Sequence, residues 1–144
     1  MLWRFLAVTS IFWLAACSRI EAWREFNAGD EAANTTVPEN YRAEILSFMR
    51  SYLNDPSQIR DAYISEPVLK IVEGGNRYVV CLRYNAKRGD GRYAGNKDSI
   101  MTFRRGRLDH IIDGAREPRE GRDIREQCKD VALKPFPELE RLTR

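Results

Sequence analysis

Apolar and polar positions recur along this chain with two different periods, and the change of period marks its elements. Tyr41, Ile45, Leu46, Phe48, Met49, Tyr52 and Leu53 return every three or four residues. That spacing predicts a helix with one apolar stripe and with Arg42, Glu44, Ser47, Arg50 and Ser51 on its far side. Pro38 and Glu39 suit a first turn, with Thr36 or Asn40 as candidate caps. Asn54-Asp55-Pro56 stops the stripe. Asp55 and Gln58, three apart around Pro56, have capping-box spacing, which predicts a short helical turn from Pro56 to Ala62.

From Tyr63 the period is two. Tyr63-Ile64-Ser65 and Val68-Leu69-Lys70-Ile71-Val72 read as one strand interrupted at Pro67, whose missing amide hydrogen marks an edge or a bulge. Glu73-Gly74-Gly75-Asn76 is a hairpin signal. In the strand that follows, Arg77 to Asn85, Tyr78, Val80, Leu82 and Tyr84 point one way; Arg77, Val79, Cys81, Arg83 and Asn85 point the other. The first face is apolar and belongs on the helix, and the second is mixed. Residues 87–92 form a loop, Ser99 to Arg104 a strand, Arg105-Gly106 a turn, and Leu108 to Ile112 the returning strand before Asp113-Gly114.

The chain turns polar from Ala115 to Lys129, with a short helix expected over Asp123 to Cys128. Val131, Leu133, Phe136 and Leu139 then punctuate a segment in which Pro135 and Pro137 hold the backbone extended, so it is expected to lie along the domain surface with those four as its contacts. The pattern as a whole predicts an α+β fold: one main amphipathic helix packed on a three- to four-stranded antiparallel sheet, with an extended C-terminal segment.

The first sixteen residues follow a different rule. Arg4 is the only charge ahead of the apolar run Phe5 to Ala16, and a positive start, an apolar centre and a small-residue end make a secretory signal. A spanning helix wants about twenty apolar residues, whereas Ser18, Arg19, Glu21, Arg24 and Glu25 end this run early. Cleavage is therefore expected.

Leu14-Ala15-Ala16-Cys17 resembles the lipobox of bacterial lipoproteins, in which a branched apolar residue and two small ones precede a cysteine. The resemblance implies that residues 1–16 are removed and that Cys17 becomes a lipidated first residue; an ordinary secreted protein with an incidental cysteine is the other reading. One acyl chain binds a bilayer only marginally and two or more hold firmly. The implied place is the bacterial cell envelope, anchored and facing the periplasm. Ser18 in place of an aspartate favours the outer membrane in the enterobacterial version of this family. Residues 17–37 read as the lipidated N-terminus and a tether, and 38–144 as a single small domain. Trp23 and Phe26 either dip into the headgroup region or staple the tether to the domain.

With Cys17 lipidated, two of the three cysteines remain. In an oxidising compartment Cys81 and Cys128 are expected to pair, pinning the polar tail to the mixed face of the central strand; two buried free thiols are the alternative. Tyr52-Leu53-Asn54-Asp55-Pro56, Cys81-Leu82-Arg83-Tyr84-Asn85-Ala86-Lys87 and Gly91-Arg92-Tyr93-Ala94-Gly95 also resemble a pattern in small uncharacterised lipoproteins and exported proteins of proteobacteria. That resemblance implies one domain from about Tyr41 onward and carries no activity.

Composition narrows the chemistry. The chain is 43% apolar and 31% charged, an ordinary globular balance, and its net charge of +3 gives no ground for a nucleic-acid partner. No glycine-flanked serine elbow or phosphate loop is present. Two separated cysteines and one histidine are too few ligands for a metal, and no cofactor motif occurs. The one histidine, His110, makes a hydrolase cluster with Asp109 and Asp113 only on paper, because an extended strand puts both aspartates on one face and His110 on the other. The expectation is a non-catalytic protein.

Basic clustering is the remaining signal. Between Arg83 and Arg125 stand twelve Lys or Arg against seven Asp or Glu. Arg88, Arg92, Arg104, Arg105 and Arg107, with Tyr93 among them, fall in or near neighbouring hairpin loops. Such a patch suits anionic lipid, lipopolysaccharide or an acidic envelope protein; a solvated rim that binds nothing explains it equally well. The function expected is a lipid-anchored binding or assembly module, with an inhibitor of a secreted enzyme such as a lysozyme as the alternative.

Overall fold

Six strands make one mostly antiparallel sheet, with helices against it, in an α+β arrangement. The structure, a computed structural model, describes residues 34–72, 75–113 and 124–143. The leader, Cys17 and the tether as far as residue 33 lie outside the described residues, as does most of the polar tail.

Helix α1, Tyr41–Tyr52, buries Tyr41, Ile45 and Met49, the stripe read from their spacing. Phe48 and Tyr52, one turn apart, stack with ring centroids 5.2 Å apart. Asn40 stands at the N-cap without a side-chain cap bond, and Leu53 ends the helix in extended conformation, its N–H donating to the Met49 carbonyl. Pro56 disfavours helical conformation at Asp55, and here the sequence expectation fails. Residues 56–62 are not a helical turn but part of strand β1, Asp55–Ser65. Asp55 does accept from the Ser57 N–H, at 2.9 Å, but as an Asx turn that opens a strand.

The sheet runs in the order β5-β4-β3-β1-β6, with β2 beside β1 along β3. Here β2 is Val68–Val72, β3 Gly75–Lys87, β4 Lys97–Arg104, β5 Arg107–Asp113 and β6 Leu133–Pro135; helix α2 is Pro137–Glu140. Strand β3 is long enough to pair with two segments in series. Its C-terminal half meets β1 and its N-terminal half meets β2, so β1 and β2 form the single interrupted strand that Pro67 predicted. Ile64 lies opposite Leu82 and Val68 opposite Val79, which leaves three residues facing two and one ladder bond missing. The Ser65 hydroxyl replaces it, accepting from the buried Cys81 N–H at 2.9 Å.

Further irregularity in β1 explains why its period misled. Between the Asp55–Lys87 and Arg60–Asn85 partners, four β1 residues face Ala86 alone, and before Tyr63 two face Tyr84 alone. Gln58 and Asp61 take positive φ at 57° and 53° to make these bulges. The result brings Ile59, Ala62 and Ile64 into the core.

The C-terminal segment does more than lie along the surface: Phe136 and Leu139, two of its four expected contacts, enter the core, while most of its other side chains stay exposed. β6 pairs with β1, the Phe136 N–H donates to the Ala62 carbonyl at 2.8 Å, and Phe136, Leu139 and Leu142 are buried with α1 against the sheet. The three or four strands expected are six because this segment adds a strand and because the break at Pro67 divides another in two. On the sheet's other face Val79, Ile100 and Ile124 form a smaller core, with Val72, Ile112 and Cys128 packed against it. The turn of helix over 124–128 covers this face, and the Cys81–Cys128 disulfide ties it down across a separation of 47 residues.

Candidate functional site

Strand β4 sets the geometry that matters for the basic residues. Antiparallel pairing puts the β3–β4 loop at one end of its eight residues and the β4–β5 hairpin at the other, about 26 Å apart at strand rise. Arg88, Arg92 and Tyr93 are therefore gathered at one end, and Arg104, Arg105 and Arg107 at the opposite end. The single patch expected from neighbouring loops is two separate groups.

Most of these side chains already have partners. Arg92 pairs with Asp90 at 2.8 Å, and the backbone N–H of Arg92, more than its guanidinium, holds the Asp90 carboxyl below the usual carboxylate range. Tyr93 donates to the Gln58 carbonyl at 2.8 Å, with the Arg60 guanidinium 4.2 Å and the Lys87 ammonium 5.7 Å from its ring centroid. Arg107 pairs with Glu44 at 2.6 Å. Arg104 donates to the Asn34 side-chain oxygen at 3.2 Å.

The β3–β4 end also holds a cleft of about 270 Å³, lined by Tyr52, Leu53 and Asn54 from the end of α1, Tyr84, Ala86 and Lys87 from β3, then Arg88, Ala94 and Lys97. Of the basic residues singled out in the sequence, Arg88 alone lines it; Arg92 and Tyr93 stand in the adjoining loop. Register builds the cleft: Tyr84 lies opposite Lys97, Leu82 opposite Ser99 and Ser99 opposite Asp113, so these side chains share the helix-facing side. Tyr52 donates to Asp113 Oδ2 at 2.9 Å, and the Lys97 ammonium stands 3.5 Å from the same oxygen.

Tyr84 is 1% exposed, and neither its hydroxyl nor that of buried Ser99 has a hydrogen-bond partner of good geometry. Burial pushes the Tyr84 hydroxyl above the ordinary phenol value, the charge of Asp113 adds to this, and neighbouring Ser99 opposes it. Tyr84 therefore stays a hydrogen-bond donor at any physiological pH. Lys87, Arg88 and Lys97 edge the cleft above Tyr84, Lys87 donating to the Gln58 side-chain oxygen and Lys97 facing Asp113; a cleft edged by cations suits an anionic oxygen group. The sequence carried a signal for it in Tyr84 and Lys97, but only the cross-strand register puts them together.

A second cleft, of about 430 Å³, lies over the disulfide, lined by Cys81, Arg83, Asp98, Arg125, Cys128 and Lys129 among others. Arg83 and Asp98 pair within it at 2.7 Å.

The residues of the paper hydrolase cluster are dispersed, though not as the regular strand implied. A bulge in β5 falls at Asp109, between the Thr102–His110 and Phe103–Leu108 partners. It turns Asp109 away from the helix side to pair with Arg77, while Asp113 stays on the helix side with Tyr52 and Lys97. His110 is exposed on the strand between them. Among the described residues, no group of three or more His, Cys, Asp or Glu side chains is placed to hold a metal ion.

Set beside protein-family models, curated proteins and solved structures, the chain matches none of them.

Proposed function

We propose that the chain is a lipid-anchored protein of the bacterial envelope, held at Cys17 and facing the periplasm, outer membrane favoured. Its α+β domain is a non-catalytic binding module whose cleft beside Tyr84 receives an anionic group of its partner. The observation that carries this reading is the division of the cysteines. Cys81 and Cys128 are joined, as suits an exported chain, and of three cysteines that leaves Cys17, at the end of the lipobox-like stretch, for the lipid. The dispersal of Asp109, His110 and Asp113 supports binding over hydrolysis.

Intact mass of the mature N-terminus, with membrane fractionation of wild type and Cys17→Ala, tests the anchor. Wild type carries a diacylglyceryl modification and fractionates with membrane; Cys17→Ala does neither. An unmodified wild-type Cys17 sinks the proposal.

A further inference from the structure

The end of the domain opposite the cleft carries features that the proposed function leaves unused. Strand β2, Val68–Val72, pairs with β3 on one side, and no strand among the described residues pairs with its outer side. Edge strands in soluble proteins are commonly blunted by charge or proline within them. Here four of five residues are apolar, and the exception, Lys70, turns its ammonium to the Gln127 carbonyl on the sheet's other face. Ile71 is 84% exposed and Leu69 46%. Leu69 lies opposite Tyr78 and Ile71 opposite Asn76, so both lie on the helix side of the sheet.

The β4–β5 hairpin stands at the same end, two to three strand spacings, or about 10–14 Å, across from β2. Arg77, Arg104, Arg105 and Arg107 gather there, Arg77 paired with Asp109 and Arg107 with Glu44. Residues 34–37, which lead into α1, lie against this hairpin. Gly106 has φ +73°, and a Cβ on it would stand 3.3 Å from Thr36 Cγ2 and 3.5 Å from the Val37 carbonyl oxygen. Asn34 is bonded to Arg104, and Val37 beside them is 54% exposed.

We infer that this end, made of Val37, Leu69, Ile71 and the Arg104–Arg107 hairpin, is the face that lies on an anionic bilayer. The inference rests on the proposed anchor at Cys17, because residues 34–37, on the side of the domain that the chain from Cys17 leads to in sequence, lie at this end. Exposed aliphatic side chains beside arginines are the chemistry that an anionic headgroup layer takes up. The cleft then points away from the membrane, into the periplasm.

The test uses the mature chain from residue 17 with Cys17→Ser, so that binding is read without the lipid. It is floated with vesicles of phosphatidylethanolamine alone or mixed with phosphatidylglycerol, at low and at raised salt. The unlipidated chain floats with the mixed vesicles at low salt and is released as salt rises. Ile71→Glu and Arg105→Glu each lower the partition about tenfold or more. Arg50→Glu, the same change of charge at an exposed site near the other end of α1, leaves it within about twofold. All three sites are on the surface, and circular dichroism checks that each variant is folded.

No flotation at low salt, or an equal loss in Arg50→Glu, overturns the inference. So does a dimer in sedimentation that Ile71→Glu dissolves, since a second copy then covers the edge. The mass of the mature N-terminus reports the anchor separately, so failure of this face and failure of the anchor are distinguishable.

Discussion

Replacing both Cys81 and Cys128 by alanine removes a cross-link between the sheet and the turn over 124–128. In the chain-entropy treatment a closed loop of n residues restrains the unfolded chain by about 2.1 + 1.5R ln n cal/mol/K. For the separation of 47 residues this is about 14 cal/mol/K, or about 4 kcal/mol at 25 °C. Native small-molecule-sized cavities add little here, because alanine at Cys81 removes one sulfur atom and Cys128 is only half-buried. A loss of about 4 kcal/mol is a large part of the 5–15 kcal/mol that holds an ordinary domain together. It should lower the melting temperature by about 15 °C or more for a domain near a hundred residues. Guanidinium unfolding of the oxidised wild type and of the double variant measures it directly. Loosening of the 124–128 turn should also show as amide exchange at Val79 and Ile100, which that turn covers. A destabilisation under about 1 kcal/mol, or Cys81 and Cys128 thiols that alkylate without reductant in the wild type, would refute the reasoning.

Three further outcomes follow from single side chains. Ser65→Ala strands the buried Cys81 N–H at the β1–β2 break and should cost about 1–3 kcal/mol in urea unfolding, whereas Ser65→Thr, which keeps the oxygen, should recover part of it. Tyr84→Phe removes a buried hydroxyl that has no partner, so stability should be unchanged or rise by up to about 1 kcal/mol; a large loss would mean that the hydroxyl is satisfied in the fold. The same variant should weaken any anionic ligand that Lys97→Ala weakens, as read by chemical-shift titration with inorganic phosphate. Glu66 accepts from Lys134 at 3.1 Å and from Tyr41 at 3.0 Å, and these bonds hold its carboxyl below the usual glutamate range. With the folded value depressed, the stabilisation is present above the unfolded pKa and lost as pH falls through the folded one. Glu66→Gln should therefore lower the melting temperature slightly at neutral pH and not at all in strong acid; an effect that persists in acid would count against the pairing.

Where a residue's environment depends on its own element, the chain was readable. The Tyr41, Ile45 and Met49 stripe, the two faces of β3 and the interruption at Pro67 all follow from local period and from proline chemistry. Asp55 to Ala62 misled because its caps and turns are real but serve a bulged strand. Pairing with β3 outweighed the helical signal, and Gln58 and Asp61 accept left-handed backbone so that Ile59, Ala62 and Ile64 reach the core. Phe136 between two prolines looked like a surface contact. It is buried because β1's bulged backbone offers the Ala62 carbonyl and N–H, which Phe136 and Glu140 satisfy. The cleft was out of reach for the same reason as the bulge at Asp109: both depend on which residue stands opposite which.

Under the function and the membrane face proposed above, the two ends of β4 would take different roles, and one geometric fact separates them. Sequence proximity had merged Arg88 and Arg92 with Arg104, Arg105 and Arg107, but a strand of eight residues between them makes it impossible for one small ligand to touch both groups. Each group is held by different neighbours. The cleft's side chains are set by the β3–β4 register and the end of α1, whereas the hairpin's are set by residues 34–37 and by Glu44 at the start of α1. Sites separated by more than about 10 Å with no shared partners act independently. A partner bound at the cleft and a bilayer under the hairpin would thus be held at once without competing, which is the arrangement a surface-anchored binding module requires.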